Sequence, residues 1–319
     1  MMIAWVIGSG GLLGSALCRA LRNKETELFS PAERFRWGNE GELASQLAAA
    51  VQAFAACVGA ERQWEIYWAA GVGTMSSSEA DLALETRVLS LLLRLAESEP
   101  QLMATPGAVA FASSAGAIYA GSSDYIISEN STPTPTTPYA REKLRQEELV
   151  RSFVLLNGRM AALIARLSTL YGPGQSFRKQ QGLLAHIARC VLRHQPIQIY
   201  VPFDTIRDYI AADDAAAMMV AALRVINDKP SVLTKIIASE QPTTIAEIIS
   251  VFKRIARRAP RIITSTSRLS SIYSHRVRFQ SVAAPECVRI PKISLFIGIS
   301  QVMSAERAAL VRSPSDLLR

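Results

Sequence analysis

Short apolar runs alternate with longer amphipathic stretches over the first 200 residues. The runs rich in β-branched and aromatic residues predict strands at 2–8, 27–30, 65–69, 108–113, 161–166 and 197–200. Stretches with helical periodicity predict helices at 12–21, 41–57, 79–97, 138–156 and 182–194. Such alternation is typical of a parallel sheet with crossover helices on both faces. The pattern therefore predicts an α/β fold with a doubly wound parallel sheet.

The pattern loosens from about Pro173, which predicts a smaller C-terminal lobe. At 319 residues the chain exceeds the roughly 250–300 at which one hydrophobic core stops growing. We assign 1–172 to the first lobe, with a strand near 197–200 and the segment 205–225 returning to it, and 173–319 mainly to the second. The Pro- and Thr-rich segment 128–138 is either a linker or a surface loop, and the resumed alternation favours a loop.

Composition bears on the partners. The net charge is +8, from 35 Lys and Arg against 27 Asp and Glu, and part of the excess lies between Lys253 and Arg278. Without interleaved aromatic residues, a solvated basic face or a pocket for a doubly charged substrate is preferred to a nucleic-acid site. Four cysteines and three histidines are scattered, so no metal site or disulfide framework is expected.

The N-terminal segment also bears on location. It lacks the basic residues of a secretory signal, and we identify no apolar run near the roughly 18 residues of a membrane span. We expect a soluble cytoplasmic protein, with contacts neither to nucleic acid nor to a membrane.

A glycine-rich turn stands between the first predicted strand and helix. Gly8, Gly11 and Gly14 are spaced three apart. Such a turn lets the backbone approach a pyrophosphate, and a helix N-terminus offers free N–H groups to phosphates. The alternative is a tight connection without a ligand.

A possible acid–base pair begins a later helix. Tyr139 and Lys143 are four residues apart, so they share one helical face, where an ammonium would lower the pKa of a neighbouring phenol. An ordinary exposed helix start is the alternative. Upstream, the strand in VAFASSAGAIYAG ends in Ser113 and Ser114, where a doubly wound sheet presents groups to a ligand.

Six motifs in order resemble the extended short-chain dehydrogenase/reductases of the NAD-dependent epimerase/dehydratase (sugar-nucleotide) family. They are the glycine turn, WAAGVG from Trp68, SSAGAIYAG from Ser113, YAREK from Tyr139, RLSTLYGPGQ from Arg166 and RDYIAADDAA from Arg207. The resemblance extends to about residue 225. It implies a Rossmann NAD(P)-binding first lobe, a substrate-binding second lobe and a homodimer formed through helices 79–97 and 138–156.

The resemblance also implies roles for individual residues. Tyr139 would be the general acid/base, Lys143 would bind the nicotinamide ribose, and Ser114 would hold the reacting oxygen. Ala115 occupies the usual hydroxyl position, and Ser113 is the alternative to Ser114. Cofactor contacts would come from Gly8, Gly10, Gly11, Leu12, Leu13, Gly14, Arg34, Ala69, Ala70, Gly71, Ser113, Tyr139 and Lys143. Substrate contacts would come from Ser114, Thr169 and Arg207.

Arg207 would meet the substrate diphosphate, because its planar fork of N–H donors suits phosphate oxygens. A surface ion pair of Arg207 with Asp208 is the alternative. Asp213 and Asp214 would orient backbone or cap a helix rather than catalyse. A second phosphate ligand from Arg276 or Arg278, or merely a solvated arginine at each, stays open.

The cofactor prediction rests on the end of the second strand. Where NAD-preferring relatives carry an acidic residue, ELFSPAERFRW has Ser30 followed by Arg34 and Arg36. This favours NADP, whereas Glu33 after a shifted strand end would favour NAD.

Other departures bear on the reaction. Arg87 and Thr169 replace asparagines common in the family, and no acidic pair follows Ser114, which disfavours dehydration. We therefore expect an NAD(P)-dependent epimerase or ketoreductase acting on a nucleotide-diphosphate sugar, with no metal. Because a reductase exchanges its cofactor, NADP leans towards reduction. The alternative is a non-catalytic, dinucleotide-sensing Rossmann protein.

Overall fold

The computed structural model describes residues 2–22, 25–71, 73–74, 77–175, 182–226, 230–264, 276–286 and 290–312. The strands are β1 Met2–Ile7, β2 Thr26–Phe29, β3 Gln63–Trp68, β4 Gly107–Ser114, β5 Met160–Leu167, β6 Thr169–Tyr171, β7 Ile197–Ile199, β8 Ile206–Ala211, β9 Ser231–Ile237, β10 Pro242–Thr244 and β11 Ile262–Thr264. The helices are α1 Leu12–Leu21, α2 Glu40–Val58, α3 Glu79–Glu97, α4 Pro100–Ala104, α5 Ala115–Ile118, α6 Pro138–Asn157, α7 Leu183–Leu192, α8 Ala212–Ile226, α9 Ile245–Ala256 and α10 Leu295–Arg312.

The central sheet has six parallel strands in the order β2-β1-β3-β4-β5-β9. The predicted α/β fold is confirmed. After β2 the chain returns to the other side of β1, so the strand order reverses between β1 and β3. The carboxyl ends of strands at such a point form the crevice in which open α/β sheets bind ligands.

Alternate side chains of β1 fill two different cores. Ile3, Trp5 and Ile7 face α2, α3 and α6 together with large aromatic residues, including Phe54 and Trp64. The opposite face packs α1 and α8 through a core rich in alanine, whose members include Ala4, Ala16, Ala108, Ala165 and Ala216. Small side chains let these two helices lie close to the sheet, next to the glycine turn.

One described helix, α2, is long and apolar enough to span a membrane by length and composition, contrary to our reading of the sequence. Its inner face, with Leu47, Val51 and Phe54, packs in the first of the two cores. A core helix of a folded domain meets the same criterion.

The ends of α6 are fixed locally, and this places Tyr139. The side chain of Thr137 accepts a hydrogen bond from the Ala140 N–H (3.2 Å), and Pro138 occupies the first turn. The helix ends at Gly158, whose φ of 57° is left-handed.

The second lobe corrects one strand assignment. The strand predicted near 197–200 is β7, which pairs with β11 in a separate two-stranded sheet and not with the central sheet. The sixth central strand is β9, which the sequence did not predict. Lys235 interrupts its apolar run, yet this side chain is fully buried and its Nζ donates to Ser281 Oγ (2.8 Å) and to the Ala283 carbonyl (2.5 Å). Such tertiary partners are not visible in a strand pattern.

Candidate active site

The glycine turn joins β1 to α1. Gly8 has a φ of 89°, and a Cβ there would lie 2.7 Å from the backbone of Ala69 and Ala70. A Cβ at Gly14 would overlap the carbonyl group of Gly8. These two glycines are therefore required by packing of backbone on backbone.

Gly10 and Gly11 are different, because both are exposed and a Cβ at Gly10 would meet nothing within 4 Å. The first turn of α1 carries no acidic residue, and Gly11, at the N-cap, makes no side-chain cap. Leu12 and Leu13 continue the turn into the helix. Backbone N–H groups at an uncapped helix start fit a pyrophosphate, so those of Leu12 and Leu13 suit the predicted cofactor. The Gly11 N–H donates to the Gly8 carbonyl (2.9 Å) and holds the turn.

The end of β3 lies directly beside this turn. The Ala69 N–H donates to the Ile7 carbonyl (2.9 Å), and Ala70 and Gly71 continue along the same crevice. The two predicted cofactor motifs thus meet at the switch point of the sheet.

Tyr139 and Ser114 come together from α6 and β4. Both side chains are half-buried, and the Ser114 hydroxyl is hydrogen-bonded to the phenol. Burial first, and then the negative charge of Glu85, raise the pKa of Tyr139 to about 12, although the hydrogen bond with Ser114 acts to lower it. The sequence led us to expect a pKa lowered by Lys143, and the structure gives the opposite direction.

Lys143 explains this difference. Its side chain is buried, and its Nζ donates to Gln146 Oε1 (3.0 Å) at 5.8 Å from the centre of the Tyr139 ring. Gln146 Nε2 in turn donates to Thr86 Oγ1 (2.9 Å). Burial lowers the pKa of Lys143, and the charges of Glu85 and Glu147 partly offset this.

Ser113 belongs to a buried ion-pair network beneath the site. Its Oγ donates to Glu147 Oε1 (2.6 Å), and Glu147 binds Arg166 through Nε (3.0 Å) and Nη2 (2.7 Å). Arg166 Nη1 also donates to the Tyr119 hydroxyl (2.5 Å). Of the two serines, it is Ser114 that faces Tyr139.

A cavity of about 170 Å³ opens beside Ser114. Its lining comes from four parts of the chain: Ser114, Gly116, Ala117, Leu167, Ser168, Thr169, Arg207, Asp208, Val277 and Phe279. Thr169 is exposed on β6 and Arg207 is half-buried on β8, so both predicted substrate residues border the same space as Ser114.

The aspartates near Arg207 have structural partners. Asp208 is buried and accepts from the N–H and the hydroxyl of Ser239 (both 2.9 Å), which differs from the surface ion pair we considered. Asp214 accepts from the Ile293 N–H (2.7 Å), and exposed Asp213 pairs with Arg19 (2.5 Å).

The segment after β2 separates its two arginines. Arg36 pairs with Glu42 (2.9 Å), whereas the exposed Arg34 guanidinium makes no hydrogen bond or ion pair within the described ranges. Glu33 accepts from Gln46 Nε2 (3.4 Å). Arg34 is therefore the cation here that is available to a phosphate.

Arg87 lies away from the site. It pairs with Glu40 (3.0 Å) on the exposed surface of α3, so its replacement of an asparagine does not alter the surroundings of Tyr139. Arg278 lies over the Tyr125 ring (4.8 Å), and exposed Arg276 is bridged to Ile206. From the sequence we assign substrate choice to the loops 175–181 and 267–281, of which 176–181 and 267–275 lie outside the described residues.

Two residues escaped the sequence interpretation. Ser168 is buried beside Asp208 and lines the cavity. Glu85 faces the Tyr139–Lys143 pair, two positions before Arg87. Residues two apart lie on nearly opposite faces of a helix, and α3 buries Leu82, Thr86 and Leu89, which could have indicated the inner face.

Among the described residues, no group of three or more His, Cys, Asp or Glu side chains is arranged to hold a metal ion. The donors at the site are instead backbone N–H groups, hydroxyls and an ammonium, a set suited to phosphates and sugar hydroxyls.

The chain is similar to two curated proteins over part of their length. The chain is 31% identical over 125 residues to the dTDP-L-rhamnose 4-epimerase of Burkholderia thailandensis, covering 39% of this chain and 33% of that protein. It is 26% identical over 197 residues to a putative UDP-glucose 4-epimerase of Methanocaldococcus jannaschii, covering 61% of this chain and 62% of that protein. The chain thus matches less than two thirds of the length of each of these curated relatives.

The fold is similar to that of RMD from Pseudomonas aeruginosa complexed with NADPH, with a TM-score of 0.78, 19% identity and coverage of 97% of this chain and 100% of that one. A family model described as the NAD dependent epimerase/dehydratase family matches residues 4–234. Since that match covers most of the chain, the protein belongs to the NAD dependent epimerase/dehydratase family.

Proposed function

We propose that the protein is an NAD(P)-dependent epimerase or ketoreductase acting on a nucleotide-diphosphate sugar, with Tyr139 as the acid/base. The observation that carries this is Ser114, which lines the cavity and is hydrogen-bonded to Tyr139, with Lys143 on the next turn of α6. Both curated relatives are named as 4-epimerases of sugar nucleotides.

The bound nicotinamide supplies the hydride donor or acceptor. Tyr139 gives a proton to the carbonyl oxygen of a keto sugar in reduction and takes the hydroxyl proton in oxidation, while Ser114 holds that oxygen. A phenol with a pKa of about 12 is protonated at neutral pH, which suits the donating role.

The size of the cavity limits what it holds. At about 170 Å³ it is smaller than the roughly 300–1,000 Å³ of a pocket for a whole drug-sized ligand. We infer that it takes the sugar ring alone, next to Tyr139. Arg207 at its border would then meet the diphosphate, for which a guanidinium fork is well suited.

For the cofactor we infer a preference for NADP. The exposed Arg34 supports it, because an arginine near the ribose accommodates a 2′-phosphate. Titration with NADPH and with NADH, followed by nicotinamide fluorescence, tests the preference. Tight NADPH and weak NADH support it, whereas tightly retained NAD would favour epimerisation and Glu33 as the ribose ligand.

Tyr139→Phe tests the acid/base role. We expect turnover of the active sugar nucleotide to fall by roughly 10²- to 10⁴-fold, the usual contribution of a general acid, with cofactor affinity nearly unchanged. Tyr125→Phe is the matched control, because Tyr125 is exposed and lies outside the cavity lining. Full activity in the Tyr139 variant would end the proposal.

The alternative of a non-catalytic dinucleotide sensor loses part of its support, because Arg87 does not reach the site. Turnover of any sugar nucleotide would remove it. A homodimer through α3 and α6 and a cytoplasmic location stay predictions, and light scattering that shows only monomer would contradict the first.

A further inference from the structure

A carboxylate joins the loop after β3 to the catalytic pair. Glu85 is half-buried on α3, and it accepts a hydrogen bond from the Gly73 N–H. The loop passes so close that a Cβ at Gly71 or Gly73 would lie 3.2 Å or 3.1 Å from a carboxylate oxygen. Gly71 also has a φ of 152°, which lies in the region that favours glycine. Gly71 and Gly73 therefore pack closely against the Glu85 side chain.

The charge of Glu85 reaches both members of the pair. It raises the pKa of Tyr139 and the pKa of Lys143, so it favours the proton on each. Glu85 belongs to α3, whereas Tyr139 and Lys143 belong to α6. Its effect on their pKa values therefore depends on how the two helices pack.

The other charged group facing Lys143 is already compensated. Glu147 on α6 acts on Lys143, but both of its oxygens bind Arg166 of β5 and one also accepts from Ser113. The Lys143 ammonium donates a hydrogen bond to the neutral side-chain amide of Gln146. A buried ammonium needs a counter-charge, because burial otherwise favours the neutral amine.

We propose that Glu85 is a positioning residue of the active site, which anchors the loop after β3 to α3 and supplies the negative charge that balances the Lys143 ammonium. The inference rests on the proposed function, because it takes Tyr139 and Lys143 as the working pair. Neither the sequence motifs nor the related proteins assign such a role to Glu85. With Tyr139 and Lys143 both protonated, Tyr139 can donate its proton to a carbonyl oxygen.

Glu85→Gln tests the charge while it keeps the shape and an accepting oxygen. In protein labelled with ¹³C at lysine, the Lys143 signal is assigned from its loss in Lys143→Arg and followed against pH. We expect the Lys143 pKa to fall, because Glu85→Gln removes a negative charge that favours the protonated amine. Glu97→Gln, which removes an exposed charge from the last turn of the same helix, should leave it unchanged.

A second variant separates charge from fold. Glu85→Asp keeps the charge on a shorter side chain, so its Lys143 pKa should stay closer to the wild-type value than that of Glu85→Gln. Equal titration of Lys143 in wild type and a folded Glu85→Gln, or equal shifts in the two variants, would overturn the proposal.

The pH profile gives a readout in the working enzyme. Reduction needs Tyr139 protonated, so its rate falls as pH rises through the pKa of Tyr139. Because Glu85 raises that pKa, the fall should move to lower pH in Glu85→Gln. An unmoved profile would contradict the proposal. Because the lysine titration needs no substrate, a failure of the proposed activity is distinguishable from a failure of this inference.

Discussion

The part of the site that we assign to the cofactor and the part that we assign to the substrate are built in different ways. The cofactor side rests on backbone packing, in which Gly8 lies against Ala69 and Gly14 against Gly8. The substrate side is a cavity walled by side chains from β4, β6, β8 and the segment around Val277. Backbone packing tolerates little change in sequence, whereas a side-chain wall can be altered residue by residue. The first suits a constant cofactor, and the second suits a varying sugar.

Two carboxylates support the site in different ways. Beneath Ser114, between β4, α6 and β5, Ser113, Glu147 and Arg166 form a buried network. On the substrate side, Glu129 fastens the segment that carries Phe279 by accepting from the Ile236 N–H (2.7 Å), the Ser281 hydroxyl (2.6 Å) and the Val282 N–H (2.8 Å). One is a charge pair inside the first lobe, and the other is a single carboxylate between β9 and a distant segment.

The largest expected effect is on the buried network beneath Ser114, on the side of the site that β4 and β5 form. Arg166→Met leaves the Glu147 carboxylate buried without its cation, which we expect to cost about 3–5 kcal/mol of unfolding free energy, as for broken buried pairs. Urea unfolding followed by circular dichroism measures it. Arg87→Met breaks the exposed pair with Glu40 and should cost less than about 1 kcal/mol. Equal losses in the two variants would show that the network does not support this side.

A smaller effect is expected on the substrate side. Arg207→Ala should raise KM for the sugar nucleotide by roughly 10- to 100-fold, since a charged hydrogen bond contributes about 1.5–3 kcal/mol. Cofactor affinity should not change, because Arg207 borders the cavity and not the glycine turn. Arg278→Ala is the comparison, since its guanidinium lies over Tyr125. A KM that responds to Arg278 and not to Arg207 would move the diphosphate to that segment.

The smallest expected effect distinguishes the two arginines after β2. Arg34→Ala should weaken NADPH about tenfold, which corresponds to about 1.4 kcal/mol, and leave NADH unchanged. Arg36→Ala should leave both unchanged, because Arg36 already pairs with Glu42. Fluorescence titration of each variant measures the affinities. If NADH weakened as much as NADPH in Arg34→Ala, the arginine would not be reading the 2′-phosphate.

Local patterns were sufficient for the elements of the first lobe. Helices α1 and α3 have the bounds that periodicity predicted, and the other predicted crossover helices differ by one or two residues at an end. Their apolar faces repeat at helical spacing within a single segment, so the signal needs no tertiary information. The Gly8–Gly14 turn and the Tyr139–Lys143 spacing are local in the same sense.

Such local patterns do not show where a side chain lies relative to residues that are distant along the chain. The sequence led us to consider Arg87, but the helix turns Glu85 towards the site and Arg87 towards Glu40. It also led us to expect a lowered pKa for Tyr139, because it could not show the burial of the phenol or the charge from α3.

The sequence by itself determined the α/β fold, the glycine turn and the spacing of Tyr139 and Lys143, because each is encoded by patterns of residues that are close together along the chain. The tertiary structure alone decided which serine faces Tyr139, that Lys235 is buried within the sixth strand, and that Ser168 and Arg207 share a cavity wall. Those facts depend on how segments that are distant along the chain pack against each other. Burial and electrostatic partners are properties of that packing, and therefore only the folded chain defines the chemistry of the site.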